Sequence, residues 1–312
     1  MSRSSNDALA VGFGACEVAV GTRRAVGAKW AACGRAARVI RRGLRGRAAS
    51  IEIAHDAPVQ DTPATAAAPH RMVEIDAGRR YTVEGALDAL HRALADAEAD
   101  APTKRCASVV LDDFWSHHAI LQGDFRVLRT KDIDEVAGAY FADTFGLDAQ
   151  TLAVRWQLQP GGRALFASAL PRSLIEGIRA QGAASRVDVT SITLALPQML
   201  NRVRSAIAGG NGWLLVVTDT LLHAVTIGKG GWSACDSERL FRDAAADAAP
   251  VADAARQMFE RSAAPSHIEG DVYLCGLALD PAPFERSFTR VRTMPAHMSD
   301  AAPALRLMEL AS

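Results

Sequence analysis

The run WLLVVTDTLLHAVTIG, Trp213 to Gly228, is the most apolar stretch of the chain and the strongest constraint on its fold. A helix needs about 20 apolar residues to cross a bilayer, and this run is shorter and carries Asp219 and His223. It has to be interior. The pattern predicts a strand WLLVVTD, a strand HAVTIG, a KGG turn and a strand WSACD, buried in a core.

The rest of the chain supplies layers to cover such a core. ALAVGFGACEVAVG (Ala8 to Gly21) predicts a strand, a glycine-bearing turn and a second strand. IEIAH (Ile51 to His55) is a further strand candidate, and Asp56 to Pro69, rich in Pro, Ala and Thr, predicts a loop. Thr82 can cap a helix over VEGALDALHRALADAEAD, which carries Leu87, Leu90 and Leu94 on one face. CASVVLDD (Cys106 to Asp113) predicts a buried strand, with WSHHAIL (Trp115 to Leu121) as its neighbour.

Asp132 opens a helix that ends near Gly146. TLAVRWQLQ and RALFASAL flank Pro160-Gly161-Gly162 as a hairpin, and a helix follows from Pro171 to Gln181. VDVTSIT leads into a helix containing Leu196 to Ile207, and Gly209 to Gly212 separates two halves. Beyond WSACD a long Ala-rich helix is expected from Ser237 to Ser262, then a buried strand DVYLCGLAL and an edge strand SFTRVR. Mixed hairpins and helices in both halves place the chain in the α/β or α+β class.

Charge narrows the function classes. Lys plus Arg and Asp plus Glu each number 35, so no global field steers the protein toward nucleic acid or an acidic surface. Arginine is nonetheless dense from Arg23 to Arg47. That segment could meet phosphates or anionic headgroups, or simply keep sheet edges soluble. Five scattered cysteines form neither a disulfide framework nor a zinc spacing, which fits a reducing compartment. The opening MSRSSNDALAVGFG has no long apolar core after a basic head, so no signal peptide is expected.

Few residues advertise chemistry. His117 and His118 are adjacent, and strand alternation points them to opposite faces, one inward and one to solvent. Asp112-Asp113 could pair as carboxylates but reads better as a strand-end turn. Gly228 to Gly231, GKGG, lies between strands and predicts a hairpin rather than a phosphate loop.

The order helix, CASVVLDD, DIDEVAGAYFADTFGL, hairpin, ALPRSLIEGIRAQGA, RVDVTSITLALPQMLNRV resembles the PilM-type branch of the actin-like ATPase superfamily. These are cytoplasmic pilus-assembly proteins related to the cytoplasmic part of the secretion protein GspL and to the division protein FtsA. The resemblance implies an α/β, two-lobed actin-like (ASKHA, ribonuclease H-like) fold with a small inserted subdomain. It divides the chain into a first lobe over 1–122 with a basic N-terminal part, the insert over 123–186, a second lobe over 187–293 and a flexible tail over 294–312.

The resemblance also implies ATP in the cleft, held by three loops. The first needs Asp-x-Gly, where a carboxylate orients metal and backbone N–H groups face phosphate. VGFGACEVAV offers Gly14, Ala15 and Glu17 but has Gly12 where the Asp belongs. The second loop offers Asp219 and Thr220, with Leu221 and Leu222 at the glycine positions. The adenosine loop retains Gly276 alone.

The expectation is a non-catalytic cytoplasmic scaffold with no cofactor, set against an active enzyme in which Glu17 and Asp219 hold magnesium and Gly14 and Gly276 approach ATP. The expected partner is an inner-membrane pilus or secretion protein with a short cytoplasmic tail, docked near Phe125 to Gln181. Peripheral association with the membrane surface and a homo-oligomer are compatible with this reading, and nucleic acid is the less favoured partner.

Overall fold

The computed structural model describes residues 8–22, 70–98, 105–207, 211–228, 231–240, 247–262, 271–297 and 301–311. The Arg23–Arg47 segment, the strand candidate at Ile51 to His55 and the Asp56–Pro69 loop lie outside them.

Two five-stranded sheets share one strand order. The first is β3-β2-β1-β4-β8, built from β1 (Leu9–Phe13), β2 (Glu17–Thr22), β3 (His70–Glu74), β4 (Arg105–Leu111) and β8 (Val187–Leu194). The second is β11-β10-β9-β12-β13, from β9 (Gly212–Val217), β10 (Leu221–Gly228), β11 (Gly231–Arg239), β12 (Asp271–Gly276) and β13 (Val291–His297). In both, three antiparallel strands are followed by two parallel ones. The central strands LAVGF and GWLLVV are buried throughout, as strands covered on both faces must be.

Alternation along β1 sorts its side chains between two cores. Leu9, Val11 and Phe13 face a layer that includes Leu90 and Leu94 of α1 (Val83–Glu98) and Leu174 and Ile178 of α3 (Arg172–Ala184). Ala10 faces the space between the sheets, filled by Leu196, Met199 and Leu200 of α4 (Ala195–Val203) and by Leu307, Met308 and Leu310 of α7 (Pro303–Leu310). Behind the second sheet lie α5 (Ala248–Arg261) and α6 (Ala282–Ser287). The order is helices, sheet, helices, sheet, helices.

A third sheet, β5-β7-β6, is wholly antiparallel and carries α2 (Thr130–Phe145) on one face. Its strands are β5 (His117–Gln122), β6 (Leu152–Leu158) and β7 (Ala164–Pro171), with β6 and β7 joined at Gly161 and Gly162 in left-handed conformations (φ 88° and 67°). The hairpin forms as its turn residues predict. Thr82 Oγ1 accepts the Gly85 N–H and caps α1, and Gly146, φ 64°, ends α2.

Four expectations are corrected. WSHHAIL does not neighbour β4: a 3₁₀ turn at Asp113–Trp115 redirects the chain, and β5 pairs with β7, so the small sheet begins at His117. VDVTSITL does not open the second lobe; β8 lies parallel to β4 at the edge of the first sheet, returned there by α3. The Ala-rich helix is shorter, because the strand β11 runs to Arg239 and α5 spans Ala248–Arg261. The region from Met294 is no flexible tail, since β13 continues to His297 and α7 is an ordered helix. Ala304, Leu307, Met308 and Ala311 are buried at helical spacing, which seats α7 in the core.

Candidate functional site

A cleft of about 360 Å³ opens where the β1–β2 and β9–β10 turns face each other. Gly14, Ala15, Cys16 and Glu17 line it from one side and Asp219 and Thr220 from the other, joined by Tyr81, Asp112, Phe114, Arg239, Leu240 and Pro303. Five of the six residues singled out in the sequence therefore meet in one place. Gly276 is not in the lining. It ends β12 with φ 99°, and a Cβ there would stand 2.1 Å from the Val217 carbonyl oxygen, so glycine serves strand packing.

The first loop is tight because the Gly14 N–H donates to the Glu17 carbonyl (3.0 Å). Glu17 turns inward and is nearly fully buried. Its Oε1 accepts the Ala304 N–H (2.9 Å), one of the N–H groups at the start of α7 with no partner inside the helix. A carboxylate at a helix N-terminus is favoured both by that bond and by the helix dipole. Gly12, where Asp-x-Gly would require a carboxylate, lies beneath the same helix: a Cβ there would be 1.8 Å from the Ala304 carbonyl oxygen.

The second loop is closed upon itself. The Thr218 N–H donates to the Leu221 carbonyl (2.9 Å), and the Leu221 N–H donates to Thr218 Oγ1 (3.1 Å). The Leu221 N–H is thus spent within the turn, and Leu221 and Leu222 are buried. Asp219 pairs with the buried Arg306 of α7. Arg306→Ala should lower stability by about 2 kcal/mol in urea unfolding, less than for a fully buried pair because Asp219 is partly exposed. Asp219→Ala added to that variant should cost little more, since the partner is already gone.

Asp112, expected only as a turn residue, caps the 3₁₀ turn through the Phe114 N–H (2.8 Å) and also reaches across the cleft, where Thr220 Oγ1 donates to it (2.7 Å). Burial pushes its carboxyl up from 3.8 to about 6, aided by Asp113 and Asp219 and opposed by those two bonds. The folded state therefore keeps a proton that the unfolded chain releases at lower pH, so this group lowers stability as pH rises from about 4 to about 6. Asp112→Asn removes that slope. Its stability relative to the parent should rise by up to about 3 kcal/mol between pH 4 and pH 7, measured by urea unfolding at both.

Behind Asp112 lies a second cluster, buried except at Ser237. Asp113 Oδ1 lies 2.8 Å from His118 Nε2, and Asp113 Oδ2 accepts the Leu196 N–H (2.7 Å) in the first turn of α4. His223 Nε2 stands 3.6 Å from Oδ2. Each imidazole meets a serine with its other nitrogen: His118 Nδ1 and Ser168 Oγ at 2.8 Å, His223 Nδ1 and Ser237 Oγ at 2.7 Å. Burial alone would raise the Asp113 carboxyl, but His118 and His223 together hold it well below the usual range. Of the two adjacent histidines His118 is the one that points inward, while His117 is half-buried rather than solvated, its ring tilted against Phe145 at 4.3 Å. Sequence reasoning missed this cluster because its members come from five separate elements. Among the described residues no group of three His, Cys, Asp or Glu side chains could hold a metal ion.

No family model and no curated protein matches the sequence. Solved structures do match. An actin-like ATPase-fold protein of unknown function from Bacteroides thetaiotaomicron aligns over 98% of this chain and 96% of its own, with TM-score 0.55 at 8% identity. The PilM–PilN type IV pilus biogenesis complex aligns over 98% of this chain and 97% of that one, with TM-score 0.57 at 10% identity. The chain has the actin-like fold.

In that fold the cleft is where the sequence resemblance implied ATP and magnesium. The residues present do not fit a magnesium–nucleotide site in this arrangement. Glu17 is taken by the Ala304 N–H, Asp219 by Arg306, Asp112 by the Phe114 N–H and Thr220 Oγ1, and the Leu221 N–H by Thr218. What remains open is an aromatic shelf, with Tyr81 5.3 Å from the Phe114 ring and the Arg239 guanidinium 4.7 Å above it.

Proposed function

We propose that this actin-like chain is a non-catalytic scaffold on the cytoplasmic face of a type IV pilus or type II secretion-like assembly, binding a cytoplasmic segment of an inner-membrane partner. One observation carries the non-catalytic half: each cleft carboxylate is engaged by the chain itself, Glu17 by the Ala304 N–H and Asp219 by Arg306, both of α7, and Asp112 by Thr220. Support for the assembly half comes from the likeness to the PilM–PilN complex over nearly the whole chain. No helix of the described residues is long and apolar enough to cross a membrane. A pull-down with the cytoplasmic tails of membrane proteins encoded nearby should recover one of them, and recovery of none counts against the assembly role.

The cleft of about 360 Å³ favours a second reading, in which ATP is bound after α7 yields. Calorimetry with ATP and magnesium separates the two. The scaffold predicts no saturable heat, whereas micromolar binding abolished by Asp219→Ala would establish the enzyme. A third reading assigns Arg23–Arg47 to nucleic acid or anionic lipid; a nucleic-acid affinity that falls steeply with added salt would support it.

A further inference from the structure

The cleft holds one polar atom that the chain leaves unanswered. Asp112 is 5% exposed and lines the cavity, and both of its hydrogen bonds, from the Phe114 N–H and Thr220 Oγ1, end on Oδ1. Oδ2 has no hydrogen-bond partner among the described residues. A buried carboxylate oxygen without a donor is costly. This one belongs to a cavity wall rather than to the packed interior, so its donor has to come from something that enters the cleft.

The same cleft has a residue held against its own backbone preference. Tyr81 has φ 64°, in the left-handed region where a bulky side chain is rarely found. The conformation is pinned: the Tyr81 N–H donates to the Ala15 carbonyl (3.0 Å), and the Thr82 N–H donates to the Arg79 carbonyl (3.3 Å). Glycine would take this φ without strain and serve the turn as well. The position instead carries a ring that is 48% exposed and lies 5.3 Å from Phe114 in the cleft wall. Backbone strain kept at a cavity, for a ring that the fold leaves half uncovered, points to what that ring meets there.

We propose that the cleft binds a small, uncharged, planar heteroaromatic amine, with its ring on the Tyr81–Phe114 shelf and its N–H on Asp112 Oδ2. Asp112 and Arg239 line the cavity with opposite charges, so no single-sign field selects a phosphate or a cation. The Arg239 guanidinium, 4.7 Å from the Phe114 ring centroid, is itself flat and extends the stacking surface. A volume of about 360 Å³ is at the small end of ligand pockets, which suits a compound of one or two rings. The proposal adds a ligand to the scaffold and does not depend on the identity of any protein partner.

The test is equilibrium dialysis of the full chain against 3-aminoquinoline, a flat, neutral ring pair with one exocyclic amine. It is run at pH 8, above the Asp112 carboxyl's value of about 6, so that Oδ2 accepts. The probe should bind saturably, and quinoline, which lacks the N–H donor, should bind about tenfold more weakly. Tyr81→Gly should also weaken the probe about tenfold. Its urea midpoint should stay at or above the parent's, because glycine relieves the strain at φ 64°. That pair of results separates a ring kept for a ligand from one kept for the fold. Absence of saturable binding overturns the proposal, as does equal affinity for quinoline or a Tyr81→Gly protein that binds as the parent does. A midpoint that falls in Tyr81→Gly would make the ring structural and count against it equally. Displacement of the probe by ATP and magnesium would overturn it in favour of the nucleotide reading, whereas an empty pull-down would sink the scaffold and leave this ligand standing.

Discussion

Asp113→Ala is expected to cost about 3–5 kcal/mol of stability, enough to unfold much of the population near physiological temperature. The carboxylate is completely enclosed and serves the Leu196 N–H, His118 and, at longer range, His223. Removing it leaves buried polar groups without their acceptor and takes the cap from α4. Asp113→Asn tests the charge separately: its amide oxygen can still accept the Leu196 N–H, but no charge remains opposite the imidazoles. It should fall between parent and alanine in a urea titration. Because Asp113 is far below the ordinary carboxylate range when folded, its contribution is present at neutral pH and disappears only in strong acid. An alanine variant with the parent's urea midpoint would mean that the Leu196 N–H, His118 and His223 do not depend on this carboxylate.

Gly12→Asp, which supplies the carboxylate that the sequence resemblance implied for the first loop, should destroy the fold's centre rather than create a nucleotide site. Any Cβ at residue 12 would stand 1.8 Å from the Ala304 carbonyl oxygen and 2.8 Å from the Met308 nitrogen, both backbone atoms of α7. The helix would have to lift off the sheet, breaking the Glu17–Ala304 bond and exposing Leu307 and Met308. The expected loss exceeds about 3 kcal/mol for Gly12→Ala and is larger for Asp, which adds a buried charge. Proteolysis at Arg306 should accelerate in both variants, and calorimetry with ATP and magnesium should stay flat. A stable Gly12→Ala protein would show that α7 does not rest on β1.

Much of the fold could be read from local pattern, and what could not is long-range. β1 and β9 are continuous apolar runs and β4 and β12 are apolar through most of their length, so each is recognisable wherever it sits. Pro160-Gly161-Gly162 marks its hairpin and Thr82 its helix for reasons confined to a few residues. The sequence VDVTSITL reads as a strand in either sheet; only the docking of α3 decides that it joins β4. Pro and Ala made residues 294–312 look like a tail, although Pro303 in the first turn and the apolar spacing through Ala311 were there to be read. The direction of Glu17 could not be read from alternation because its partner lies 287 residues away. Asp112 and Asp113 escape the strand rule because the 3₁₀ turn breaks the alternation, burying both, one at the cleft and one at His118. Arg306, which answers Asp219, has no neighbouring signal at all.

The placement of α7 has a consequence for biosynthesis. The strands it covers are translated well before it: Glu17 and its partner Ala304 are 287 residues apart. While the ribosome works through the intervening residues, one face of the first sheet, around Ala10 and Gly12, stays wet. A nascent chain of this design has a long interval in which it needs shelter from aggregation. A polypeptide that stopped before Pro303 would never leave that interval, however intact every strand before the cut.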